Sequence, residues 1–135
     1  METRNMVPRR WTIDDNEKPF TMNKERTWHY YTRAQHVKAV RERFAWLALS
    51  EKIPKLEYVC IDIVPLVTNI KQTADPAAHY PTAKAAIDGL VDANILDDDN
   101  DKHIESITFW KSVKWKHDGL RLVITELTNK GKQNG

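Results

Sequence analysis

The chain has 135 residues, with 21 Lys and Arg against 19 Asp and Glu, 41% apolar residues and 30% charged ones. That length supports one hydrophobic core but not two, and the composition is ordinary for a globular fold. No apolar run approaches the roughly 20 residues of a membrane span, and the basic opening Met1–Arg10 has no apolar stretch behind it, so neither a spanning helix nor a secretory signal is expected and a cytoplasmic location is.

Cys60 is the only cysteine, which excludes an internal disulfide or a multi-cysteine zinc cluster; within the apolar run Tyr58–Ile61 it is expected to be a buried small hydrophobe. The net charge of +2 names no partner, but its distribution is uneven. Residues 1–45 carry 10 Lys or Arg against 6 Asp or Glu, residues 75–105 carry 2 against 8, and residues 106–135 carry 6 against 2. An acidic centre between basic ends suits a polyanion held on two sides of a metal site; solvated surface charge explains it equally well.

In chain order, Trp11–Ile13 reads as a short strand and Pro19–Arg26 as a loop. Thr32 is a suitable N-cap for a helix over 33–50, with Val37, Val40, Phe44, Leu47 and Ala48 on its apolar face and Lys38, Arg41 and Arg43 outward. Leu56–Val64 is rich in β-branched residues and reads as a strand, which Pro65, having no N–H for a ladder, should end or place at an edge. Pro81 suits the first turn of a second helix, with Ala83, Ile87, Leu90, Val91 and Asn94 on one stripe and Asn94 suited to a left-handed C-terminal cap. His103–Trp110 and Leu120–Leu127 read as strands, joined by the basic segment Lys111–Asp118 as a long hairpin. The order predicts an α/β (α+β) two-layer domain, a mixed four-stranded sheet with helices packed on it, the second helix crossing over right-handedly between parallel strands. The tail Thr128–Gly135 reads as frayed.

Chemistry concentrates between Asp75 and Asp101. A calcium loop starting at Asp97 fails because its sixth position is Lys102 and its twelfth Thr108, where glycine and a bidentate glutamate are required. A solvated acidic turn is the plainer account of Asp97–Asp101, and an i,i+4 surface ion pair that of Lys84 with Asp88. Yet carboxylates from two loops, Asp75 on one side and Asp98 and Asp99 on the other, are the hard ligands magnesium takes, and Lys84 between them could steady a scissile phosphate. Trp28 could stack on unpaired bases but is expected to pack against the neighbouring helix; Trp110 and Trp115 flank Lys111, Lys114 and Lys116, either a basic hairpin touching DNA or an exposed turn with one aromatic tucked inward; and His103 is expected to be a hydrogen-bonded structural residue.

The run Asp75…Lys84-Ala85-Ala86-Ile87-Asp88-Gly89-Leu90…Ile95-Leu96-Asp97-Asp98-Asp99, with Pro19–Asn23 before it and Gly119–Glu126 after it, resembles the RusA family of Holliday junction resolvases, particularly the versions carried by phages and prophages. The resemblance spans residues 19–127, leaving 1–18 as an N-terminal segment and 128–135 as a tail. It implies a homodimeric endonuclease that binds four-way DNA junctions and nicks them in pairs with magnesium, or manganese in its place. It further implies metal ligation by Asp75, Asp98 and Asp99, catalytic roles for Lys84, Asp75 and Asp99, and DNA contacts from Asn23, Lys24, Arg26, His29 and Lys71. Asp97 is an alternative ligand if the register slips by one. Ala77 and Ala78 stand where the family has its second aspartate and an asparagine, so one acidic ligand is missing.

Overall fold

A computed structural model describes residues 8–71 and 75–128. The elements are β1 (Arg10–Asp15), α1 (Met22–Arg26), α2 (Tyr30–Ser50), β2 (Val59–Val67), a 3-10 turn (Pro76–His79), α3 (Tyr80–Asp92), β3 (Ile104–Phe109), β4 (Val113–Lys114) and β5 (Gly119–Glu126). They form a single α+β domain with a mixed five-stranded sheet in the order β1-β5-β2-β3, the short β4 pairing with β2 beyond the end of β3. No helix among the described residues is long and apolar enough to cross a membrane.

The strand periodicity of two separates the faces. Ile13, Leu122, Ile63 and Phe109 form one row across β1, β5, β2 and β3, and Thr12, Val123, Asp62 and Thr108 form the next. The first row belongs to the face covered by α2 and α3, where Phe44, Ala48, Ala83, Ala86, Ile87 and Leu90 complete the core. The second belongs to an open face. Helix α2 turns Val40, Phe44 and Ala48 inward, as its spacing of three and four requires, and Gly89 lets α3 approach. A Cβ at Gly89 would stand 2.6 Å from the Arg41 carbonyl oxygen, so any side chain would push the two helices apart.

Helix α3 enters at Pro81 and leaves through Asn94, whose φ of 63° is the left-handed cap its sequence suggests. It crosses between β2 and β3, which are parallel. Several expectations require correction. Helix α2 begins at Tyr30 with His29 as its cap, so Thr32 lies inside it, and the sheet has five strands where four were expected. Met22–Arg26 is helical, because Thr21 caps it by accepting the Lys24 N–H at 3.2 Å. The β3 and β5 strands do not form a hairpin: β2 lies between them, antiparallel to β5 and parallel to β3.

Pro65 lies inside β2, the central strand. Ile63 and Val67 accept from Trp110 and Trp115 on the β3–β4 side, and by alternation Pro65 faces that same side, at the break between β3 and β4 where no donor is needed. Cys60 is half-buried on the open face, two residues from Asp62, not sealed in the core. The sheet also begins at Arg10, ahead of the residue-19 start of the resemblance, with β1 paired to β5 along its whole length. The tail from residue 129 onward lies outside the described residues.

Candidate functional site

Lys84 sits on the second turn of α3 with its side chain half exposed. Its ammonium donates to Asp99 Oδ2 at 2.7 Å and to Asp88 Oδ1 at 2.8 Å. The chain after α3 makes this meeting possible. Ile95 and Leu96 are buried, Ile95 N–H returns to the Leu90 carbonyl, and Leu56 N–H donates to the Ile95 carbonyl. The following acidic residues are thereby turned back along the helix.

Within that turn, Asp98 Oδ1 accepts the Asp99 N–H at 2.8 Å, and the Asn100 carbonyl accepts from His103 and Ile104. The turn is therefore built by local side-chain and backbone hydrogen bonds, as Asp and Asn runs favour. Its charge meets cations on two sides: Asp97 pairs with Lys55, Asp99 with Lys84. Asp97 is thus committed away from Lys84. His103 is structural as expected, its Nδ1 bonded to the Glu57 carbonyl at 2.9 Å.

Lys84 and Asp99 line a depression of about 140 Å³ closed on its apolar side by Tyr80, Ala83, Ile87, Ile107 and Phe109. Larger depressions exist along α2, around Arg43 and around Arg41, but their ionic groups are spent on each other: Arg43 on Asp15 and Arg41 on Asp92. The Asp88 and Asp99 carboxylates raise the Lys84 pKa above the ordinary lysine value. The Lys84 ammonium in turn holds Asp99 below the ordinary carboxylate value. Both groups stay ionised at neutral pH. Asp88, read as a surface ion-pair partner, is a member of the site, and Ile107 and Phe109 are the members that only strand parity on β3 could have indicated.

Asp75 occupies a different position. It caps the 3-10 turn, Oδ1 accepting the Ala77 N–H at 3.0 Å, and is exposed. The described residues place no contact between it and Lys84, Asp98 or Asp99, and among them no three His, Cys, Asp or Glu side chains gather closely enough to hold a metal ion. The donor chemistry nevertheless suits magnesium, which needs one or two carboxylates, retains several waters and takes the rest of its shell from substrate phosphate. Asp98 and Asp99 offer that minimum. The two would suit an ion that a phosphate ligand helps to hold, not one held by protein groups alone.

Asn23, Lys24 and Arg26 are exposed on α1, which lies against the 3-10 turn and the start of α3. Thr82 secures this arrangement from inside: its buried hydroxyl donates to the Phe20 carbonyl at 2.7 Å and accepts the Phe20 N–H at 3.0 Å. His29 caps α2 by accepting the Tyr31 N–H on Nδ1 at 3.2 Å, and Lys71 is exposed beyond β2. Trp28 packs as expected, stacked on His36 at 3.9 Å and against Phe20. The exposed aromatics there are Tyr30 and Tyr31.

Fold and site together define a small α+β domain with a half-exposed lysine held between two carboxylates at the edge of its sheet. No protein-family model matches the chain, and no curated protein matches it significantly in sequence.

Proposed function

We propose that this protein is a structure-selective DNA endonuclease of RusA type, acting on Holliday junctions in recombination and repair by magnesium-dependent phosphodiester hydrolysis. The observation that carries the reading is the meeting of Lys84 with Asp99, 15 residues apart, beside Asp98. In this reading Asp98 and Asp99 would hold the ion, and Asp75, which caps the 3-10 turn and touches neither of them, would have to approach once substrate is bound. When bound, magnesium supplies charge neutralisation and activation of water.

The chain's own residues do the rest. Lys84 keeps its proton at neutral pH and stabilises the negative charge that builds on the phosphate. Asp88 gives that ammonium a second carboxylate partner beside Asp99. Ile107 and Phe109 give the depression an apolar side. Asn23, Lys24, Arg26, His29 and Lys71 contact the DNA backbone, and a homodimer in the cytoplasm supplies the second nick. Nicking of synthetic four-way junctions, compared with linear duplex, tests the reading. Lys84→Ala and Asp99→Asn should remove activity, and a wild type that leaves junctions intact with both magnesium and manganese would end it.

Ala77 and Ala78 favour a second reading, a RusA-like protein that binds branched DNA or a protein partner without cutting. Binding would then be salt-sensitive, because phosphate contacts release counterions. Ala77→Asp with Ala78→Asn should create nicking in such a protein; a doubly substituted chain as inert as the wild type would dismiss this account.

A further inference from the structure

The open face of the sheet carries a second constellation, distinct from the Lys84 site. Trp110 leaves the end of β3 about half exposed, and its indole N–H donates to Asp62 Oδ1 at 2.8 Å, which fixes the ring over the sheet. It forms one wall of a depression of about 410 Å³ together with Arg10, Asp62, Val64, Lys111 and Val123. Next to it, Val64 is the register partner of Arg121. The Arg121 guanidinium lies 4.4 Å from the Trp115 ring centre and is held by Asp14 at 2.8 and 3.0 Å. Two indoles are thus oriented on one face by separate polar anchors.

The charges on this face are unequal. Asp14 is ion-paired with Arg121, and Asp62, held by the neutral Trp110 indole, is the one carboxylate of the depression set against Arg10 and Lys111. Among the described residues, Arg10 bonds only to the neutral Thr125 hydroxyl, Lys111 has no carboxylate partner, and Lys116 lies over Trp115. A second copy of the chain is a poor occupant, because a two-fold contact sets a patch against itself and would oppose these cations. A polyanion with flat apolar groups matches it.

We propose that this sheet face binds single-stranded DNA, with a base stacked on Trp110 and the flanking phosphates on Arg10 and Lys111. Asp62 acts as a positioning residue: it pre-orients the indole, so less side-chain freedom is lost on binding. An aromatic ring has a face for every base, so the site would be indifferent to sequence. The inference deepens the reading of the protein as one that acts on branched DNA, where unpaired segments arise, but it uses different residues.

The test is titration of the full chain with a thymidine oligonucleotide of about 12 residues, a length within the usual range of such sites, followed by anisotropy at several salt concentrations. Trp110→Ala should weaken binding roughly 5- to 150-fold, the worth of one stacked base. Lys111→Ala should reduce the salt slope by about 0.7. Asp62→Ala and Asp62→Asn both remove a carboxylate from beside the phosphates, and only Asn keeps an acceptor for the indole, so the Ala variant should bind more weakly than the Asn variant. Circular dichroism identifies any variant that fails to fold, and Asp62→Asn against Asp62→Ala stands as the comparison if Trp110→Ala is lost. If Trp110→Ala binds as the wild type does and Asp62→Ala as Asp62→Asn does, the inference falls and the junction reading is untouched. A wild type that nicks junctions but ignores the oligonucleotide likewise overturns the inference alone; one that does neither removes both. Self-association abolished by Trp110→Ala, without any effect on DNA, would assign the face to a second copy and overturn the proposal.

Discussion

Among the ion pairs that join a helix to a neighbouring segment, Arg43–Asp15 and Lys84–Asp99 differ in their surroundings. Arg43 on α2 reaches Asp15 at the end of β1, both carboxylate oxygens lying 3.0 Å from Nε, and Asp15 is only 5% exposed. Lys84 on α3 reaches Asp99 through a single ammonium shared with Asp88, with 46% of its side chain exposed. Burial raises the Asp15 pKa despite the guanidinium beside it, whereas the Lys84 ammonium lowers that of Asp99. Both oxygens of the buried Asp15 carboxylate are occupied by Arg43 and cannot turn to a ligand without leaving it. The exposed pair can exchange its partners for water, a cation or a phosphate at little cost to the fold.

The largest expected effect separates the two by function. If the Lys84 site cuts DNA, Lys84→Ala should lower the nicking rate about 10²- to 10³-fold while the urea midpoint reports a stability change below about 1 kcal/mol. A loss of several kcal/mol would mean that Lys84 is as structural as Arg43. Conversely, Arg43→Met should cost about 3 kcal/mol, since it leaves a buried carboxylate without its partner. Adding Asp15→Asn to that variant should recover much of the loss; no recovery would assign Arg43 a packing role.

Gly89→Ala acts on the spacing of the helices that carry the two cations. Its Cβ would meet the Arg41 carbonyl, so a destabilisation of about 2 kcal/mol is expected in denaturant. Wild-type stability in that variant would mean that the α2–α3 contact yields easily.

The smallest effect is a matter of sign. Asp99 is more acidic in the folded chain than its ordinary value of 3.8, so its contribution is present above that pH and fades as pH falls below it. Asp15 is less acidic when folded, so the native state binds the extra proton and its contribution falls as pH rises above 3.8 through the folded value. Denaturation of wild type, Asp15→Asn and Asp99→Asn between about pH 3 and 6 should show the two differences from wild type moving in opposite directions with pH. Parallel curves would mean that the two carboxylates are not in opposed environments.

Different stretches of the chain are legible to different degrees, for physical reasons. The apolar face of α2, the proline entry and asparagine exit of α3, and the alternation of Leu120, Leu122 and Ile124 express short-range periodicity and can be read directly. Arg43 reads as outward-facing because an arginine on a helix ordinarily meets water, and its partner Asp15 lies 28 residues earlier on a strand. Pro65 reads as a strand end or edge because its missing donor matters only if a neighbour needs it, and β3 ends before that level. The expected β3–β5 hairpin treats consecutive strands as neighbours, while β2 pairs with both.

For the candidate site, residue types and spacing singled out Asp75, Lys84, Asp98 and Asp99, and local caps and helix periodicity determined that Lys84 would lie on a helix ahead of an acidic turn. Only tertiary structure decided that Asp99 meets the ammonium, that Asp97 is taken by Lys55, that Asp75 caps a separate turn, and that one sheet face is left open with Trp110 on it. Caps and periodicities depend on neighbours within a turn or two. Which carboxylate reaches which cation depends on how buried side chains such as Ile95, Leu96 and Leu90 set the path of the chain, and that is fixed by packing between segments remote in sequence.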